Sequence, residues 1–271
     1  MDHTIAFIGG GNMAGAIIGG LRKSGRDGAA IIAVDPSDAQ RERLHADFGV
    51  RTLPAADASL EEAALVVWAV KPQYFQAAAL PCAAHVGRAL QLSVMAGIRS
   101  DAIAHATRTQ RVVRAMPNTP ALIGQGIAGL FARDAVTADE RVTVEQLLAP
   151  TGQTLWVAQE DDLDAVTALS GSGPAYVFYF VEAMMQAAAE MGLTPEQGKR
   201  LALATFTGAA SLAAASDDPP QLLREQVTST GGTTHAALTS LEADGVKAAF
   251  VKALKAAQQR AHELGEQFGR S

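Results

Sequence analysis

Residues 4–17 read TIAFIGGGNMAGAI: a short β-branched and aromatic run breaks into three glycines and passes directly into a helical pattern. No other stretch limits the fold so strongly. A strand that turns sharply into a helix leaves the first helical N–H groups unpaired and aimed into the turn. In the pattern Gly9-x-Gly11-x-x-Ala14, Gly9 permits the tight turn and Gly11 lets a pyrophosphate approach the backbone. Ala14 is small enough for the helix to pack closely on its strand. The predicted element is the opening of a dinucleotide-binding βαβ unit, with Ile8, Gly9, Gly10, Gly11, Asn12, Met13 and Ala14 as its binding turn. A turn with only a structural role is the alternative reading.

The next runs, AIIAV (30–34), LVVWAV (65–70), ALQLSV (89–94) and RVVRA (111–115), are continuous apolar segments separated by helical ones. That alternation predicts a parallel sheet covered on both faces. IAGLFA (127–132) and TLWVA (154–158) add two edge strands, with a helix at 138–149 between them. Asp35 closes the second strand, where an acid commonly bonds the adenosine ribose, and Ser37, Arg41 and Arg43 follow. Asp35-Pro36-Ser37 also reads as a plain helix cap. Ala69-Val70-Lys71-Pro72, Ala96-Gly97 and Asn118-Thr119-Pro120 end three further strands, with Ala96-Gly97 leaving room for a ring. Each is an ordinary turn taken singly; together they place a shared site on one sheet edge.

Beyond about residue 164 the strand pattern stops. Val177, Phe180, Val181, Met184, Met185 and Ala188 keep helical spacing, and helices are predicted at 195–215, 219–226, 235–243 and 246–267. Ser172 and Pro174 in SGSGPA (170–175) suit the cap and first turn of a helix at a hinge. LALATFTGAASLAAA (201–215) is apolar almost all round and is expected to be buried, in its own chain or by a second subunit. The reading is therefore an α/β protein: a Rossmann-type, mostly parallel sheet over 1–164 and an all-helical domain over 165–271.

A net charge of −6 with scattered Lys and Arg argues against nucleic acid or an anionic membrane as partner. One cysteine, Cys82, and six dispersed histidines give no disulfide framework and no metal-ligand spacing. With no leader pattern, the expectation is a soluble, cytoplasmic protein.

VTSTGGTTHAALTSLE (227–242) crowds hydroxyls and two glycines before a helix. Gly231 and Gly232 allow close backbone approach, N–H groups near Thr233 and Thr234 suit an anion, and Ser229 and Thr233 add hydroxyl donors. Together GxGNMA (9–14), AVKPQ (69–73), AG (96–97), NTP (118–120), SGSGPA and this stretch resemble pyrroline-5-carboxylate reductase over nearly the whole chain. The resemblance implies reduction of 1-pyrroline-5-carboxylate to L-proline with NADPH, or alternatively NADH. It also implies dimers, or larger assemblies built from dimers, whose active site joins one subunit's coenzyme to its partner's helices. Thr234 matches the threonine that contacts the imine nitrogen and is the candidate catalytic residue. Ser229, Gly231, Gly232 and Thr233 complete the substrate set, opposite Ile8 to Ala14, Asp35, Ser37, Ala69, Val70, Lys71, Pro72, Ala96, Gly97 and Asn118 for the coenzyme. Many relatives carry proline where Thr230 stands, and NADPH-preferring ones often carry Asn, Ser or Arg near Asp35. Rival readings are a hydroxyacid dehydrogenase of the 6-phosphogluconate-dehydrogenase type and a non-catalytic dinucleotide sensor. The first expects a lysine four residues after a linking-helix glycine, where Ala175 and Val177 stand.

Overall fold

The computed structural model of the chain describes residues 3–269. Strands β1 (Thr4–Ile8), β2 (Ile31–Val34), β3 (Arg51–Leu53), β4 (Ala63–Trp68), β5 (Leu90–Ser93), β6 (Val112–Met116), β7 (Gly126–Ala132) and β8 (Gly152–Trp156) form one sheet. Its order is β3-β2-β1-β4-β5-β6-β7-β8. The first six strands run parallel, β7 lies antiparallel on β6, and β8 is parallel to β7. Helices α1 (Asn12–Lys23), α2 (Asp38–Phe48), α3 (Phe75–Cys82), α4 (Ser100–Thr107) and α5 (Ala138–Leu148) connect them.

Alternation along the strands divides the core. Ile5 and Phe7 pack with Ile17, Ile18 and Leu21 of α1 and Leu147 of α5. Ala6 and Ile8 face the opposite layer with Phe75 and Cys82 of α3 and Ile103 of α4. Side chains on both faces are buried, as the unbroken apolar runs require.

Four local differences from the sequence reading have physical causes. The second strand starts at Ile31 because Gly28–Ala30 form a 3-10 turn, capped by the Asp27 side chain. β3 went unread: it is three residues long, with Arg51 exposed, and carries no apolar run. The third predicted strand ends at Trp68, leaving Ala69 and Val70 on the rim, with Ala69 N–H still bonded across to β1. Ser172 is not a helix cap. From α6 (Asp162–Val166) the chain continues through a π turn, Thr167–Gly171, into α7 (Gly173–Glu190); Ser172, the bend between them, has φ −86 and ψ −14, the right-handed region and not the extended backbone of a helix N-cap. Its N–H donates to Thr167 O at 2.8 Å, a five-residue step. Pro174 has no N–H to offer Ser170 O four residues earlier, and Asn118 Nδ2 donates to that carbonyl instead, at 3.2 Å.

The remaining helices are α8 (Pro195–Ala214), α9 (Pro220–Gln226), α10 (Thr233–Ala243) and α11 (Val246–Gly269). Two compact units result: Met1–Ser172 with Ala257–Ser271, and Gly173–Ala256. This division differs from the expected boundary at 164/165, since 165–172 and the last turns of α11 belong with the sheet. In the helical unit, Gly198 of α8 faces the Ala188 Cβ of α7, where an added Cβ would come within 2.9 Å. Tyr176 and Phe180 each meet Phe250 edge-on, at 5.8 and 5.6 Å between centroids. α8 buries only Gly198 and Ala202; Leu201, Leu203 and Leu212 are exposed in the single chain, against the alternative that the helix is buried within its own chain.

Candidate coenzyme and substrate sites

Five segments named from sequence leave the carboxyl ends of adjacent strands. Asp35 follows β2, the glycine turn follows β1, residues 69–72 follow β4, 96–97 follow β5 and Asn118 follows β6. They therefore share one edge, with the reversal of strand order between β1 and β4, the place where open α/β sheets bind ligands.

The three glycines of the turn have different duties. Gly9 has φ +97, and a Cβ there would sit 2.7 Å from Ala69 O. A Cβ on Gly10 would sit 2.7 Å from Leu44 Cδ1, while its N–H donates to Asp35 Oδ2 at 2.8 Å. Gly11 meets nothing within 4 Å. It heads α1 with no side-chain cap, so no side chain takes up the N–H groups of Asn12, Met13 and Ala14. Ile8 and Ala14 are buried and can offer only backbone to a ligand.

Asp35 is engaged as a clasp: besides Gly10, its Oδ1 accepts from Ser37 N at 2.9 Å. Ser37 also caps α2, as the helix-cap reading of this segment expects. Arg41 is drawn to Asp38 and, at 2.7 Å, to the Asp35 carbonyl. Gln40, unmarked in the sequence reading, donates its side-chain amide to Gly10 O and braces the turn from α2. Its only signal was helical spacing from Ser37.

Along the rim, Ala69 N donates to Ile8 O at 2.8 Å, Lys71 is exposed, and Pro72 starts a 3-10 turn. Val70 is half-buried. Ala96 is exposed, but the space beside Gly97 is not empty: a Cβ there would lie 3.2 Å from Phe268 Cδ2. Asn118 is buried and committed at both ends of its amide, to Ser170 O and, through Oδ1, to Ile127 N at 3.0 Å. Its side chain is a strut, not a free polar group. Among the described residues no cluster of three or more His, Cys, Asp or Glu could hold a metal ion.

In the helical unit, Gly232 N donates to Ser229 O at 3.0 Å across a turn whose third residue, Gly231, has φ +75. A Cβ on Gly232 would collide with Ser229 Oγ at 2.6 Å. α10 begins at Thr233, with Gly232 as an N-cap that supplies no side chain. The N–H groups of Thr233, Thr234 and His235 are thus left uncapped, beside the hydroxyls of Ser229 and Thr233. Ser229, Gly231, Thr233 and His235 are exposed, and Thr234 is half-buried.

Residues 160–264 match a family model for pyrroline-5-carboxylate reductase dimerisation, and residues 4–97 match one for coenzyme F420-dependent NADP oxidoreductases. A pyrroline-5-carboxylate reductase from Pseudomonas aeruginosa is 44% identical over 267 residues, covering 98% of each chain. The solved structure of such a reductase from Coxiella burnetii superposes with a TM-score of 0.90 at 36% identity, covering 97% of this chain and 99% of the other. One from Plasmodium falciparum, with NADP bound, gives 0.85 at 26% identity over 97% and 98%. Identity of this order over nearly the full length of both chains places the protein in the pyrroline-5-carboxylate reductase family.

Proposed function

We infer that this chain reduces 1-pyrroline-5-carboxylate to L-proline by hydride transfer from NAD(P)H, the last step of proline biosynthesis. The observation that carries the reading is the pair of glycine-headed helices, α1 and α10, both without a side-chain cap. An uncapped helix start attracts an anion, and this reaction has two to hold: the coenzyme pyrophosphate and the substrate carboxylate.

The free space over Gly11 fits the pyrophosphate, held by backbone from Gly9 to Ala14. Asp35 and Ser37 stand at the ribose end of the rim. Residues 69–72 and 96–97 stand at the nicotinamide end, with Asn118 supporting that loop. On α10, backbone N–H groups after Gly231 and Gly232, with the Ser229 and Thr233 hydroxyls, take the carboxylate. Thr234 hydrogen-bonds the ring nitrogen. When bound, the coenzyme supplies the hydride. The chain's task is to hold donor and acceptor carbons at about 3–3.5 Å and in line. A substrate that binds as the protonated iminium needs no strong acid from the loop.

NADP in the Plasmodium falciparum relative supports NADPH as coenzyme, with NADH as the alternative. Exposed Phe178, Tyr179, Leu201, Leu203 and Leu212 support a homodimer, or an assembly of dimers, that covers the helical faces. Among the described residues no helix is long and apolar enough to cross a membrane, and we place the enzyme in the cytoplasm. The test is nicotinamide absorbance in the presence of 1-pyrroline-5-carboxylate, with NADPH and NADH in turn. Coenzyme oxidation matched by proline formation is expected; coenzyme binding without turnover would instead make the protein a sensor.

A further inference from the structure

The last turns of α11 end against the coenzyme rim of the same unit. Ala261, Leu264, Gly265 and Phe268 recur at helical spacing and form its less exposed face, with Ala261 and Gly265 buried. This face meets the loop after β5 through two opposed glycines. On the loop, Gly97 has φ +73, and a Cβ there would come within 3.2 Å of Phe268 Cδ2 and 3.5 Å of Leu264. On the helix, a Cβ on Gly265 would come within 3.1 Å of Arg99 Nε. Each glycine leaves space that the other element fills. Polar contacts secure the same junction: Arg99 pairs with Asp161 and, at 3.5 Å, with Asp164, and Asp164 Oδ2 stands 3.3 Å from His262 Nδ1.

The geometry points to residues 261–268 as a brace on the loop at 95–99, with Phe268 as a positioning residue for the nicotinamide end of the coenzyme. Gly97 takes a left-handed conformation with the helix packed against the space a Cβ would occupy, and Ala96 beside it presents the exposed rim. The loop follows the fourth strand from the sheet edge and carries its own left-handed residue, so packing from outside holds it in one conformation. The functional half of the inference rests on the coenzyme reading above; the brace itself does not.

Full-length Phe268→Ala and Phe268→Leu proteins separate the two. Without coenzyme, hydrogen exchange at 95–99 should quicken about tenfold or more in Phe268→Ala and stay near the parent rate in Phe268→Leu. NADPH should bind Phe268→Ala roughly tenfold more weakly by fluorescence titration, while ADP-ribose, which lacks the nicotinamide, binds as in the parent. Unchanged exchange at 95–99 would overturn the brace. Equal losses for NADPH and ADP-ribose would overturn its specific role at the nicotinamide. A parent protein that binds neither would remove the coenzyme reading and leave the exchange result standing.

Discussion

The two glycine-led helix starts are built differently. At α1 the chain's own neighbours explain the first two glycines: Ala69 O closes on Gly9, and Leu44 on Gly10. Asp35 and Gln40 then tie the turn to β2 and α2. At α10, Gly231 meets nothing within 4 Å, and its loop is exposed for most of its length. One helix start is braced by distant parts of its own chain; the other is shaped by a local turn alone. A braced start resists substitution through folding, whereas an open one responds through the ligand.

The largest contrast should appear between two glycines two residues apart. Gly9→Ala puts a Cβ against a carbonyl in a left-handed conformation and should cost about 1–3 kcal/mol from backbone strain alone, seen as a lowered Tm. Gly11→Val has free space around it and should melt within about 0.5 kcal/mol of the parent, yet lose NAD(P)H binding in titration. If Gly11→Val bound coenzyme normally, the difference between scaffold and contact glycines would disappear. On the open side, Thr234→Ala should lower kcat/KM by about 10–100-fold with Tm unchanged; unaltered kinetics would remove Thr234 from the reaction.

Smaller effects sharpen the comparison. Asp35→Ser removes a negative charge from the ribose end and should shift coenzyme preference toward NADPH by roughly tenfold, measured as the ratio of the two dissociation constants. It also takes an acceptor from Gly10 N–H, so affinity for both coenzymes should fall slightly. The turn at 229–232 bonds its first carbonyl to its fourth N–H and carries positive φ at its third residue, Gly231, a form that favours proline at the second. Thr230→Pro should therefore stabilise the protein by about 0.4–1 kcal/mol, read as a modest rise in Tm.

The sheet was legible because strands buried on both faces leave continuous apolar runs, and the glycine turn because strand, glycines and helix adjoin. The α10 loop was legible for the same local reason. What escaped involved partners distant in sequence. SGSGPA has the local signature of a cap, yet a π turn runs through it toward α7, and Asn118 donates to the Ser170 carbonyl that Pro174 cannot serve. The side-chain bonds of Asn118 were not read: one of its amide partners, Ser170 O, lies 52 residues along the chain. Gly97 looked like space for a ring, and the helix that fills it arrives from the last turns of the chain. The antiparallel setting of β7 also left no mark, because a strand's direction is not written in its composition.

The most direct measurement is a crystal structure of the protein with NADPH and a non-reducible proline analogue. The account predicts the pyrophosphate on the backbone N–H groups at the start of α1 and the analogue's carboxylate on those at the start of α10. The nicotinamide should lie within hydride reach of the analogue's ring. Pyrophosphate away from Gly11, or a carboxylate bound anywhere but the 229–234 loop, would contradict it.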